Sequence, residues 1–151
     1  MTKIRRRTVA GLRTGDTFTL TRTFTEKDVM AFAKISRDTN PIHFSREFVE
    51  LKGFTSRICH GLLVGGMITE VGGQIGWLAS GMNFRFKKPV YFGDTVTCRF
   101  ALRSVDANLR ASAEAVFTNQ DGAVVLEADL FGILPNADER DILADLLQTD
   151  S

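Results

Sequence analysis

The chain is 151 residues long, 44% hydrophobic and 25% charged, the profile of one globular domain with too little length for a second core. Nineteen Lys and Arg against eighteen Asp and Glu leave a net charge of +1, so there is no broad basic field of the kind that holds nucleic acid. The two cysteines, Cys59 and Cys98, form no C-x-x-C pair and are too few for a disulfide framework or a cysteine-built zinc site, so a reducing cytoplasm is the expected compartment.

Met1 to Gly15 carries Arg5, Arg6, Arg7 and Arg13 without the apolar run of a secretory signal, leaving an Arg-rich transit peptide open. Thr17 to Phe24 alternates threonine with Phe18, Leu20, Arg22 and Phe24, a period of two that predicts an opening strand. Thr25, with Asp28 three residues on, predicts a capped helix running to about Arg37, its apolar face built from Val29, Met30, Phe32, Ala33 and Ile35. Asp38-Thr39-Asn40-Pro41 breaks that helix, and Ser45 to Lys52 can form a further turn or two.

Gly61 to Ala79 has the strongest helical pattern, with Val64, Met67, Ile68, Val71, Ile75 and Leu78 at steps of three and four. Glu70 and Gln74 interrupt it, so it is not read as a membrane span. At about 100° per residue, Gly61, Gly65, Gly72 and Gly76 fall on one stripe, which predicts a close approach to the helix backbone. The period then changes to two: Met82 to Lys87, Val96 to Arg103, Leu109 to Phe117 and Val124 to Leu134 read as four strands, the last two joined by an Asn119–Gly122 turn. A buried helix followed by an antiparallel sheet is an α+β arrangement. Ile142, Leu143, Leu146 and Leu147 predict a short surface helix in the tail, residues 135–151.

Histidine occurs twice, at His43 and His60. Asp38 and His43, five residues apart across a proline turn, can converge as an acid/base pair, or Asp38 can cap the turn while His43 packs. His60-Gly61 opens the long helix, where the first N–H groups have no intrahelical partner; Gly61 can offer one to a developing oxyanion, or merely permit tight packing while His60 caps. A metal held by Asp38, His43, Cys59 and His60 matches no known ligand spacing, and Cys59 has the apolar neighbours of an inert thiol.

Taken together, Asp38-Thr39-Asn40-Pro41-Ile42-His43, Phe54, Ile58-Cys59-His60-Gly61 and Phe84 to Val96 resemble the MaoC-like (R)-specific enoyl-CoA hydratases of the hot-dog fold, over about Phe18 to Leu134. The resemblance implies an antiparallel sheet wrapped around a central helix, one such domain spanning 1–151 with its core at about 17–134, and a homodimer whose sheets join. It implies hydration of a trans-2-enoyl thioester to the (R)-3-hydroxyacyl product, with no cofactor beyond the CoA of the substrate. Asp38 and His43 match the catalytic pair that holds and activates water, and Gly61 matches the donor to the thioester oxygen. Asn40 and Pro41 belong to the same motif and are expected beside the substrate. Thr69 falls where the family often carries a serine, and its hydroxyl is expected to serve in its place. His60 is expected to be structural.

Arg85, Lys87 and Lys88 form the densest basic run of the matched region and are either cations for the CoA phosphates or a solvated strand face. Three rivals stay open: a dehydratase acting on acyl-carrier-protein thioesters, a hot-dog acyl-CoA thioesterase using Glu70, and a non-catalytic acyl-thioester-binding module. No nucleic-acid or membrane partner is expected.

Overall fold

A computed structural model describes residues 2–146. Thr2 accepts the Arg5 N–H and caps helix α1, Lys3–Val9, an element absent from the sequence expectation. Only Ile4 and Thr8 of its seven residues are buried, too few to write a helical period. Its Arg5 guanidinium donates to the carbonyls of Gly73 and Gln74, groups that the end of a later helix leaves without partners.

Strand β1, Thr17–Thr23, and helix α2, Glu26–Ser36, fall where the alternation and the capping signal place them. Thr25 and Asp28 make the reciprocal capping box, and Arg37, in the left-handed region at φ 58°, closes α2 by donating its N–H to the Ala33 carbonyl. Helix α3 is Arg46–Leu51, capped by the Ser45 hydroxyl.

The expected Gly61–Ala79 helix is shorter and divided: α4, Gly61–Gly65, and α5, Met67–Ile75, meet at Gly66. Gly76, at φ 67°, terminates α5 in the left-handed conformation that glycine adopts without a Cβ clash. The helical spacing of Leu78 is therefore coincidental; it opens strand β2, Leu78–Phe86, and is largely exposed. The close approach predicted by the glycine stripe is tightest at its first two positions, and a Cβ at its last, Gly76, would lie 3.2 Å from Leu143. A Cβ at Gly61 would run into the Phe86 ring and one at Gly65 would lie 2.9 Å from Phe84, whereas Gly72 has only Trp77, at 3.8 Å.

Strands β3, Thr95–Val105, β4, Arg110–Thr118, and β5, Val124–Ile133, complete a five-stranded antiparallel sheet of order β1-β3-β4-β5-β2. On its inner face Phe100 lies opposite Ala115 and Phe117 opposite Cys98, large beside small, while Ala115 faces Ala128 and Phe117 faces Leu126. Met67, Ile68, Val71 and Ile75 of α5 join these side chains in one core. The Asn119–Gly122 turn forms as predicted, with Gly122 at φ 76° and its N–H on the Asn119 carbonyl.

In the tail, α6, Ala137–Asp145, has a second capping box, Asn136 with Glu139; Leu147 and the rest of the predicted surface helix lie outside the described residues. No helix among the described residues is long and apolar enough to cross a membrane.

Candidate active site

The segment after α2 is shaped by short-range hydrogen bonds that its sequence supplies. Asp38 Oδ1 accepts the Asn40 N–H, and Asn40 Oδ1 accepts the Ile42 N–H. Pro41 then starts a single 3₁₀ turn, Pro41–His43, that delivers the His43 side chain inward. Asn40 and Pro41 thus act on the shape of this loop, and neither lines the cavity described below.

The Ile58–His60 segment is fastened to the stretch before β3. Cys59 donates its N–H to Val90 O at 2.7 Å, and Ile58 bridges to Tyr91. That stretch is held in turn, since Gly93 N–H reaches Phe24 O and the Asp94 carboxylate accepts the Tyr91 N–H. Much of the Val90-Tyr91-Phe92-Gly93-Asp94 run is therefore scaffold.

These anchors bring Asp38, His43, His60 and Gly61 to the wall of one cavity of about 650 Å³. His43 and His60 are buried, whereas Asp38 is about half-exposed. His43 Nδ1 lies 2.8 Å from the Ile58 carbonyl, which can only accept, so the neutral ring carries its hydrogen there and leaves Nε2 bare. That Nε2 is 3.8 Å from Asp38 Oδ2, too long for a direct bond and short enough for one water to donate to both. Burial is the main cause holding the His43 pKa below its ordinary 6.5, reinforced by the neighbouring His60 and opposed by the Ile58 carbonyl and Asp38.

His60 stacks on His43 with ring centroids 3.7 Å apart, and its Nε2 lies 3.2 Å from the Asp38 carbonyl oxygen and 4.0 Å from Asp38 Oδ2. The side-chain donors of Asp38, His43 and His60 lie within 4.8 Å of one another, the composition of a possible metal site. One nitrogen of each ring is engaged by a carbonyl, an arrangement that leaves the other nitrogen free, and Cys59 stands outside the cluster with its thiol pushed up to about 12, chiefly by burial.

Phe32, Phe54, Leu62, Val64, Phe86 and Val90 give the same cavity an apolar wall, and Lys87 and Lys88 also line it. Arg85 does not: its guanidinium is bound across the strands by Asp129 and Glu127. Thr69 is also elsewhere, donating its hydroxyl to Gly66 O and facing a smaller hollow of about 170 Å³ with Trp77 and Met82. Glu70 is paired with Arg22 at 2.6 Å and lines a third hollow, away from Asp38 and His43. Sequence reasoning missed Phe32 and Ser36 as cavity residues; their i, i+4 spacing on α2 was the available signal. It also missed the proximity of His60 to Asp38, which no local spacing encodes.

The profile of the MaoC like domain matches residues 11–123. The chain belongs to the MaoC-like family. Among MaoC-like relatives, the (R)-specific enoyl-CoA hydratase of Rhodospirillum rubrum is 30% identical over 82% of this chain and 89% of its own. A mitochondrial 3-hydroxyacyl-[acyl-carrier-protein] dehydratase of Arabidopsis thaliana is 32% identical over 84% of this chain and 80% of its own. The solved (R)-hydratase of A. caviae involved in PHA biosynthesis superposes with a TM-score of 0.77 at 28% identity, covering 83% of this chain and 98% of that one. The fold is accordingly the hot-dog fold of the MaoC-like hydratases, and the α+β expectation stands.

Proposed function

We propose that this MaoC-like protein is a hydro-lyase that adds water reversibly to trans-2-enoyl-CoA, giving the (R)-3-hydroxyacyl thioester. The observation that carries the reading is the 3.8 Å gap between His43 Nε2 and Asp38 Oδ2 on the wall of an apolar cavity. A water in that gap donates one hydrogen to each acceptor and turns a lone pair outward. Asp38 takes one proton as the water oxygen bonds to C3, and the C2–C3 π electrons move toward the thioester oxygen. The Gly61 N–H, at the start of α4, is the proposed donor to that oxygen. The proton then passes to C2 on the same face, so the elements of one water are added and no cofactor is consumed.

The apolar wall suits an acyl chain and Lys88 suits a phosphate-bearing handle, whereas Lys87 lines the cavity but pairs with Glu127 at 3.4 Å. The dehydratase likeness supports a second reading, the same chemistry run toward the enoyl product on an acyl-carrier-protein thioester. The ion pair that occupies Glu70 counts against the thioesterase. A homodimer is part of the proposal, supported by the edge position of β2 and by exposed Leu78, Met82 and Phe86 along it. So is a cytoplasmic location, which the two unpaired, buried cysteines suit.

Incubation with crotonyl-CoA and longer enoyl-CoAs, with chiral analysis of the products, tests the reading. (R)-3-hydroxyacyl-CoA is expected; release of free CoA thiol without hydration would replace it with thioester hydrolysis.

A further inference from the structure

We infer that His60 is a positioning residue: its Nε2–H, donated to the main-chain carbonyl of Asp38, fixes where the Asp38 carboxylate stands at the cavity wall. The inference rests on the hydration reading for its kinetic consequence, but its geometry is independent of it.

The other hydrogen bonds of Asp38 are local. Its N–H donates to Ser36 Oγ and its Oδ1 accepts the Asn40 N–H, each two residues away, so both move with the loop. The bond from His60, 22 residues distant, is the one long-range hydrogen bond of Asp38 among the described residues. A carbonyl only accepts, so the neutral His60 ring carries its hydrogen on Nε2. The ring that holds this donor is seated by stacking on His43 at 3.7 Å and by Phe32 at 5.0 Å, with only 1% of the residue exposed.

Packing alone does not account for a histidine here. With Nε2 engaged, Nδ1 is buried with no hydrogen-bond partner, a cost that a phenylalanine in the same stack would avoid. The polar ring is retained with its orphan nitrogen, and what it gains in return is the bond to Asp38. His60 also caps α4, its own carbonyl accepting from Leu63 and Val64, so one residue ties the Asp38 loop to the helix start that carries Gly61. Beside the structural role expected from sequence, this bond supports a positioning one.

The test compares His60→Gln, whose amide nitrogen reaches the position of Nε2, with His60→Asn, whose amide is too short to do so, and His60→Phe, which keeps the stack without a donor. With enoyl-CoA as substrate, His60→Asn and His60→Phe are expected to lose kcat by about 100-fold with KM little changed, and His60→Gln to stay within about fivefold of the parent. A folded His60→Phe with parental kcat overturns the inference. If His60→Phe does not fold, the Gln and Asn pair decides, and equal kcat in the two overturns it. Nitrogen NMR of the parent protein reads the tautomer without turnover: a hydrogen on His60 Nε2 supports the assignment and one on Nδ1 overturns it. A parent that hydrates no enoyl thioester defeats the function proposal, while the tautomer still decides the His60 bond.

Discussion

The ring of Phe86 lies so close over Gly61 that the Cβ of any other residue at position 61 would fall within it. The constraint on position 61 comes from a neighbour on β2, across the element boundary from the helix it begins. In Gly61→Ala the half-exposed ring of Phe86 can yield, so the net loss is expected at the low end of the roughly 1–3 kcal/mol typical of overpacking. Thermal unfolding should shift by no more than about 4 °C. Activity should fall further, about tenfold or more, because both residues line the cavity and a displaced ring enters it. Adding Phe86→Ala to Gly61→Ala should recover stability beyond the sum of the single effects, with a coupling of at least about 0.5 kcal/mol in a double-mutant cycle. Strict additivity would mean the contact is relieved at no cost.

Asp38→Asn and His43→Gln should each remain folded and each lose about 10²- to 10⁴-fold in kcat for enoyl-CoA hydration. Because the two side chains act on one water, the double variant should be little worse than the poorer single. Absorbance of the enoyl thioester follows the rate, and circular dichroism checks the fold. A folded single variant hydrating at near-parental rate would remove that residue from the proposed pair.

The parts of this molecule that were legible in the sequence are those written in local chemistry. Thr25 with Asp28, Asn119 to Gly122, and the alternation of β3 to β5 each declare an element within a few residues, and each forms. The Asp38–His43 loop is legible for the same reason, being built from bonds two residues apart. The end of α5 was misread because Leu78 continues the helical spacing by chance while Gly76 ends the helix by conformation. The roles of Arg85 and His60 depend on partners 44 and 22 residues away, Asp129 and Asp38, and only the fold supplies them.

Lys88 and Arg85 look equivalent in the basic run and are not equivalent in space. Lys88 lines the cavity, whereas Arg85 spends its charge on Asp129 and Glu127. Lys88→Glu should raise KM for the CoA ester by about fivefold at low ionic strength, an effect that shrinks as salt is added. Arg85→Gln should leave KM unchanged and lower stability only slightly, since the pairs it loses are solvent-exposed. Initial rates at two salt concentrations separate the cases. An equal rise in KM for both variants would assign the cation effect to the whole strand face.

Burial of His43 sets the sign of the pH dependence. Its folded-state pKa is held below the ordinary 6.5, so the neutral ring that leaves Nε2 free to accept from water persists at neutral pH. Hydration should therefore be flat near pH 7 and fall on the acid side with a midpoint below 6.5. Stability follows the same direction. Between the folded and unfolded pKa values the unfolded chain binds more protons, so the contribution of His43 is fully present above about 6.5 and is lost as pH falls through the lower folded value. His43→Gln should flatten that part of the Tm profile while leaving the acid loss due to carboxylates. An acid limb in the rate with a midpoint above 6.5 would mean that a protonated His43 is required, and would reverse the roles given to it and Asp38.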